Sequence, residues 1–104
     1  MLIYAIEISG TPSSGTYSFN TKKFDNAILK QVILKSASND TTFDFKITDD
    51  HNNNPIDTSV TGESAVYIMN KMFDVLLKGI YTVYIFNASA DEVFTGRLMI
   101  QEEA

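Results

Sequence analysis

The sequence predicts an all-β domain, an antiparallel β-sandwich of jelly-roll-like type with about eight strands. Three observations predict it. Apolar and polar residues alternate with period two along most of the chain. Turn clusters interrupt that alternation at roughly ten-residue spacing, the pattern of a sandwich or jelly roll. The 104 residues suit one domain, read over 1–104, with no internal repeat, low-complexity run or linker.

The first strand spans Leu2 to Ser9, with Leu2, Tyr4, Ile6 and Ile8 on one face and Ala5, Glu7 and Ser9 opposite. Gly10 to Gly15 is a dense turn cluster. Thr16 to Thr21 resumes the alternation, with Tyr17 and Phe19 sharing a face. Ile28 to Leu34 admits two periods. Ile28, Leu29, Val32 and Ile33 share a helical face, whereas Ile28, Val32 and Leu34 fit a strand, which the β-branched content favours. After a turn at Ser38 to Asp40, Thr41 to Thr48 sends Phe43, Phe45 and Ile47 inward. Asp49 to Pro55 reads as a polar loop. Pro55 to Val60 reads as a short edge strand, and Thr61-Gly62 as a turn.

Val66 to Leu76 is ambiguous in the same way. Val66, Met69, Met72, Phe73 and Leu76 make a helical stripe, and strands over Ser64 to Met69 and Phe73 to Leu77 are the preferred reading. Ile80 to Asn87 is apolar on both faces, with Tyr81, Val83 and Ile85 against Ile80, Tyr84 and Phe86. Ala88 to Asp91 reads as a tight hairpin turn. Val93 to Gln101 closes the domain, and Gly96 marks a bulge or a close backbone approach.

Composition excludes several function classes. Hydrophobic residues make up 44% and charged residues 20%, an ordinary globular balance. Formal net charge is -5, and it is unevenly spread. Residues 1–40 hold four lysines against three acids; residues 41–104 hold four bases against ten acids. An acidic chain without a basic stripe suits neither nucleic acid nor an anionic membrane surface. The absence of cysteine excludes disulfides, thiolate metal sites and a Cys nucleophile. The N-terminus lacks the basic region of a signal peptide, and Glu7 interrupts its apolar run.

Catalytic constellations are not legible. His51 is the only histidine, and nothing near it in sequence reads as a nucleophile or an orienting acid. Thirteen acids always provide some carboxylate pair, so a pair alone specifies no glycosidase chemistry. In the loop around His51, Asp50, Asn52 and Asn54 take the first, third and fifth positions of an EF-hand spacing. Pro55 stands where that loop needs Gly and Thr61 where it needs Glu. Asp50, Asn52 and Asn54 are therefore candidate cation ligands set against a plain Asx-rich turn. No cofactor is expected.

The informative surplus is apolar. Ile80, Tyr84 and Phe86, with Met72 and Phe73, offer more apolar surface than one small core needs. These five are the candidate interface, set against the reading in which the fold covers both faces itself.

The stretch Thr41 to Glu103 carries a resemblance. A strand TFDFKITD is followed by a polar loop, a glycine, the strand GIYTVYIFNAS and a closing strand. It resembles small jelly-roll or β-sandwich proteins of tailed bacteriophages, which serve as capsid decoration or head-and-tail accessory proteins. Gly79 to Ser89 is also similar to the pre-peptidase C-terminal type of β-sandwich found in secreted bacterial proteins. The missing signal peptide favours the phage family. That resemblance implies a non-enzymatic virion component, assembled in the host cytoplasm, that binds itself and other virion proteins. It carries over no functional residues. The alternative is a carbohydrate- or protein-binding module with a structural calcium ion.

Overall fold

The computed structural model describes residues 2–37, 42–49, 60–66, 68–88 and 92–102, and the side chains of 60–66 lie outside that description. Eight strands account for nearly all of it: β1 (Leu2–Gly10), β2 (Tyr17–Asn20), β3 (Phe24–Ser36), β4 (Thr42–Asp49), β5 (Val60–Val66), β6 (Ile68–Gly79), β7 (Tyr81–Phe86) and β8 (Phe94–Glu102). They run in the order β1-β8-β3-β6-β5-β4-β7-β2, every neighbour antiparallel.

That order is a jelly roll. A first sheet, β1-β8-β3-β6, faces a second, β5-β4-β7-β2, and the two join at one corner through the pair Val66–Ile68. Each consecutive pair from β1–β2 to β4 crosses between sheets, so the chain winds around its own core. Aromatic pairs fill the space between the sheets. Phe43 of β4 meets Phe94 of β8 edge-on at 4.9 Å, and Phe24 of β3 meets Tyr81 of β7 at 6.3 Å. Each such buried ring contributes roughly 1.5–3 kcal/mol of burial, with up to about 1.5 more from ring geometry.

The alternation in the sequence becomes the inside and outside of these sheets. Phe43, Phe45 and Ile47 of β4 and Tyr81, Val83 and Ile85 of β7 are buried, as are Phe94, Leu98 and Ile100 of β8. Both ambiguous segments are strands. In β3 the period slips twice, between Phe24 and Ala27 and between Leu29 and Val32. Phe24, Ala27 and Leu29 face the core, then Val32, Leu34 and Ser36 do, with a register shift between Leu29 and Gln31 against both neighbours. A bulge inserts one residue and swaps the faces on either side of it. Ile28 therefore lies on the outer side, not on the core face with Val32 and Leu34. The preferred strand reading holds, since the segment is β3; the Leu29-to-Val32 spacing that imitated a helical face comes from the bulge.

Three further expectations are corrected. Thr61-Gly62 does not turn the chain; it lies inside β5, where a register shift against Phe45 and Ile47 makes room for it. Glycine in a strand marked a bulge there. The segment after it completes β5, to Val66, and forms one long β6 from Ile68 to Gly79, instead of strands over 64–69 and 73–77. Ala88 to Asp91 does not close a hairpin, because β7 pairs with β4 and β2 while β8 pairs with β1 and β3. Turn chemistry announces a reversal without saying which strands pair. Of Pro55 to Val60, only Val60 lies within the described residues, where it opens β5.

Two glycines are required by geometry. In the Ser13–Thr16 turn, Ser14 and Gly15 both take positive φ (54° and 85°), as a two-residue hairpin turn of the primed type demands. Gly96 is a close approach: a Cβ there would run into the Ile33 carbonyl and the Leu34 backbone.

Candidate functional site

The two sheets turn very different outer faces to their surroundings. On the first, cross-strand rows run Ile3–Gln101–Ile28–Leu76 and Ala5–Met99–Gln31–Met72. Four large aliphatic side chains on the outer face of these strands are solvent-facing: Met72 is 68% exposed, Leu76 63%, Ile3 58% and Ile68 48%; Leu2, at the start of β1 with the opposite parity, is exposed as well. Ile28, Ile33 and Met99 are half-buried among them. Polar pairs interrupt the patch. Gln31 Nε2 donates to Asn70 Oδ1 at 2.8 Å, and Lys30 Nζ reaches Asp74 at 3.0 Å.

On the second sheet, β4, β7 and β2 present Thr48, Thr82, Ser18 and Asn20 around two half-buried aromatics, Tyr84 and Phe86. Lys46 Nζ stands 4.9 Å from both ring centroids. The lysine stem thus covers the rings while its charge stays wet. Thr82 Oγ1 donates to Asn20 Oδ1 at 2.9 Å, and Asn87 Nδ2 donates to Asp44 Oδ2 at 2.7 Å.

The five candidate interface residues do not converge on one surface. Met72 lies on the outer face of the first sheet. Tyr84 and Phe86 lie on the outer face of the second, across the core. Phe73 packs against the core. Ile80 sits exposed between β6 and β7. Ile3, Ile68 and Leu76 were not singled out from the sequence. Their signal was parity: Ile3 stands opposite the inward Tyr4-Ile6-Ile8 series, and Leu76 is out of step with Met69, Phe73 and Leu77. The candidate cation ligands Asp50, Asn52 and Asn54, with His51, lie outside the described residues. Among the described residues, no three His, Asp or Glu side chains gather as a metal site.

One polar corner stands out. Lys22 Nζ bonds Glu102 Oε2 at 3.1 Å and lies 5.2 Å from the Tyr4 ring. The Tyr4 hydroxyl is buried there with no hydrogen-bond partner. Burial raises its pKa above the ordinary value, and Lys22 pulls the other way. The Tyr4 hydroxyl and Glu102 in turn raise that of the Lys22 ammonium. Lys22 is near enough to act on the hydroxyl electrostatically without the geometry of a hydrogen bond.

At the margins of the sandwich, the end strands are unequal. β1 has nine residues and β2 only four. The Tyr17 hydroxyl of β2 donates to the Ser9 carbonyl of β1 at 3.2 Å, and Gly10 leaves room for the Tyr17 ring. No protein-family model and no curated protein matches this chain.

Proposed function

We propose that the chain is a non-enzymatic structural protein that assembles with itself and with other proteins of a larger particle, as a decoration or accessory component of a phage virion. The observation that carries the reading is the outer face of the first sheet. Small monomeric domains rarely leave two Ile, a Leu and a Met side chain grouped on an open sheet, because each then forgoes roughly 1.5–3 kcal/mol of burial. In an assembly the same face is covered. The jelly-roll strand order and the acidic surface suit protein partners better than nucleic acid. Mass spectrometry and electron microscopy of purified particles test it. The chain should be detected with them at high copy number; particles lacking both the peptide and its density would sink the reading.

A second reading, a carbohydrate-binding module, rests on Tyr84 and Phe86, since sugar rings stack on aromatics. Lys46 already occupies their exposed side, which is why this reading ranks second. A glycan array separates the two.

A further inference from the structure

β1 is the end strand of the first sheet. β8 covers one side of it, and among the described residues no strand covers the other. Natural sheets blunt such edges with shortness, proline, lysine or bulges. β2, at the other margin, is blunted by its four residues. β1 has none of these devices. It is nine residues long, its pairing with β8 is unbroken, and its single charge is Glu7.

The backbone says which groups point outward. Successive residues of an antiparallel strand turn their N–H and C=O alternately to either side. The Ala37 N–H donates to the Val93 carbonyl, so by alternation the odd-numbered residues of β8 bond β3 and the even-numbered ones bond Leu2, Tyr4, Ile6, Ile8 and Gly10 of β1. That leaves Ser9, whose carbonyl accepts from Tyr17, on the open side. Ile3, Ala5 and Glu7 share its parity, so their backbone groups face the same way.

We propose that this edge pairs with the same edge of a second copy, antiparallel about a two-fold axis at Ala5. The inference rests on the self-assembling reading above and adds the surface that does it. With the axis at Ala5, Ala5 faces its own equivalent, and Ile3 of each copy faces Glu7 of the other. All three outward residues then exchange backbone hydrogen bonds. A register centred on Ile6 would need the Ser9 carbonyl, which Tyr17 already holds. One centred on Glu7 would set two carboxylates opposite each other. On the core side the Ala5 register puts Leu2 against Ile8 and Tyr4 against Ile6, apolar against apolar. The two Glu7 side chains lie at opposite ends, each opposite its own Arg97 on β8. The contact is isologous, so it closes as a dimer and does not propagate. A single strand pair is smaller than the ~1,200–2,000 Å² of a stable interface, so association should be concentration-dependent.

Molar mass by light scattering across a concentration series tests this. The native chain should rise from the mass of one chain to that of two. Ala5→Lys and Ala5→Glu should each weaken the dimer about tenfold, since like charges then meet at the axis. An equimolar mixture of the two should dimerise again, which also shows that both fold. Met72→Lys should leave the dimer intact. A native dimer that survives Ala5→Lys, or a mixture that stays monomeric, would overturn the edge and leave self-assembly standing. A native chain that is monomeric throughout would overturn self-assembly and the edge together.

Discussion

The two outer faces are made by sheets of equal strand number, yet one is finished and the other is not. On the second sheet the aromatics Tyr84 and Phe86 are roofed by Lys46, and hydroxyl and amide side chains hydrogen-bond to each other around them. On the first, Ile3, Met72 and Leu76 stand open, although lysine, glutamine and asparagine lie on the same strands. Those polar groups pair with one another, Gln31 with Asn70 and Lys30 with Asp74, instead of covering the aliphatics. A chain that can roof two aromatics with one lysine has the means to shield a face. On the assembly reading proposed above, the difference marks the face a partner would cover.

The comparison can be broken most violently at the core that both faces share. Phe94→Ala removes the ring that meets Phe43 and should cost about 3–5 kcal/mol in urea denaturation, disordering both faces at once. Gly96→Ala acts on the first sheet alone. Its methyl group collides with the Ile33 backbone, so β8 and β3 must part, at about 1–3 kcal/mol by the same measurement. Milder changes sharpen the contrast. Lys46→Ala should cost about 0.5–1 kcal/mol and raise binding of a hydrophobic dye, because it uncovers Tyr84 and Phe86. Met72→Lys with Leu76→Lys should change stability by no more than about 0.5 kcal/mol per site and lower dye binding. If the lysines on the first sheet proved costly and the loss of Lys46 proved free, the two faces would have been assigned the wrong way round.

The smallest effect concerns the Tyr4 corner. Its raised pKa means the folded chain keeps the phenol neutral after the unfolded chain has begun to ionise. That contribution is whole below the ordinary tyrosine value of 10.0 and fades as pH climbs through the raised value. Tyr4→Phe should match the native chain or slightly exceed it at neutral pH, since an unpartnered buried hydroxyl is removed. It should lose less stability than the native chain when urea curves are repeated above pH 10.0.

The sequence made some elements plain and hid others for physical reasons. Thr41 to Thr48 and Val93 to Gln101 were legible because their strands carry an unbroken period of two against well-covered neighbours. β3 was obscured because one bulged residue at Lys30 shifts the phase of everything after it, and a shifted strand imitates a helix over one turn. β5 and β6 were misdivided because Gly62 and the turn chemistry around it look alike in a loop and in a bulge. The pairing of β8 with β1 and β3 was not legible at all, since local residues carry no record of partners far away in sequence. The candidate surface suffered likewise: Met72, Tyr84 and Phe86 were picked for being apolar, and only the strand order reveals that they lie on opposite sides.

The nine-residue pairing of Leu2–Gly10 with Phe94–Glu102 also has a consequence in time. β1 is synthesised before β8, and at roughly 5–20 residues per second the wait between them is on the order of 5–20 s. Throughout that interval Leu2, Ile3, Tyr4, Ile6 and Ile8 have no native neighbour on either side, and β3 lacks one of its two. Folding of this domain therefore waits on Phe94–Glu102, and a chain cut short before β8 leaves β1 able to pair only with the wrong partner.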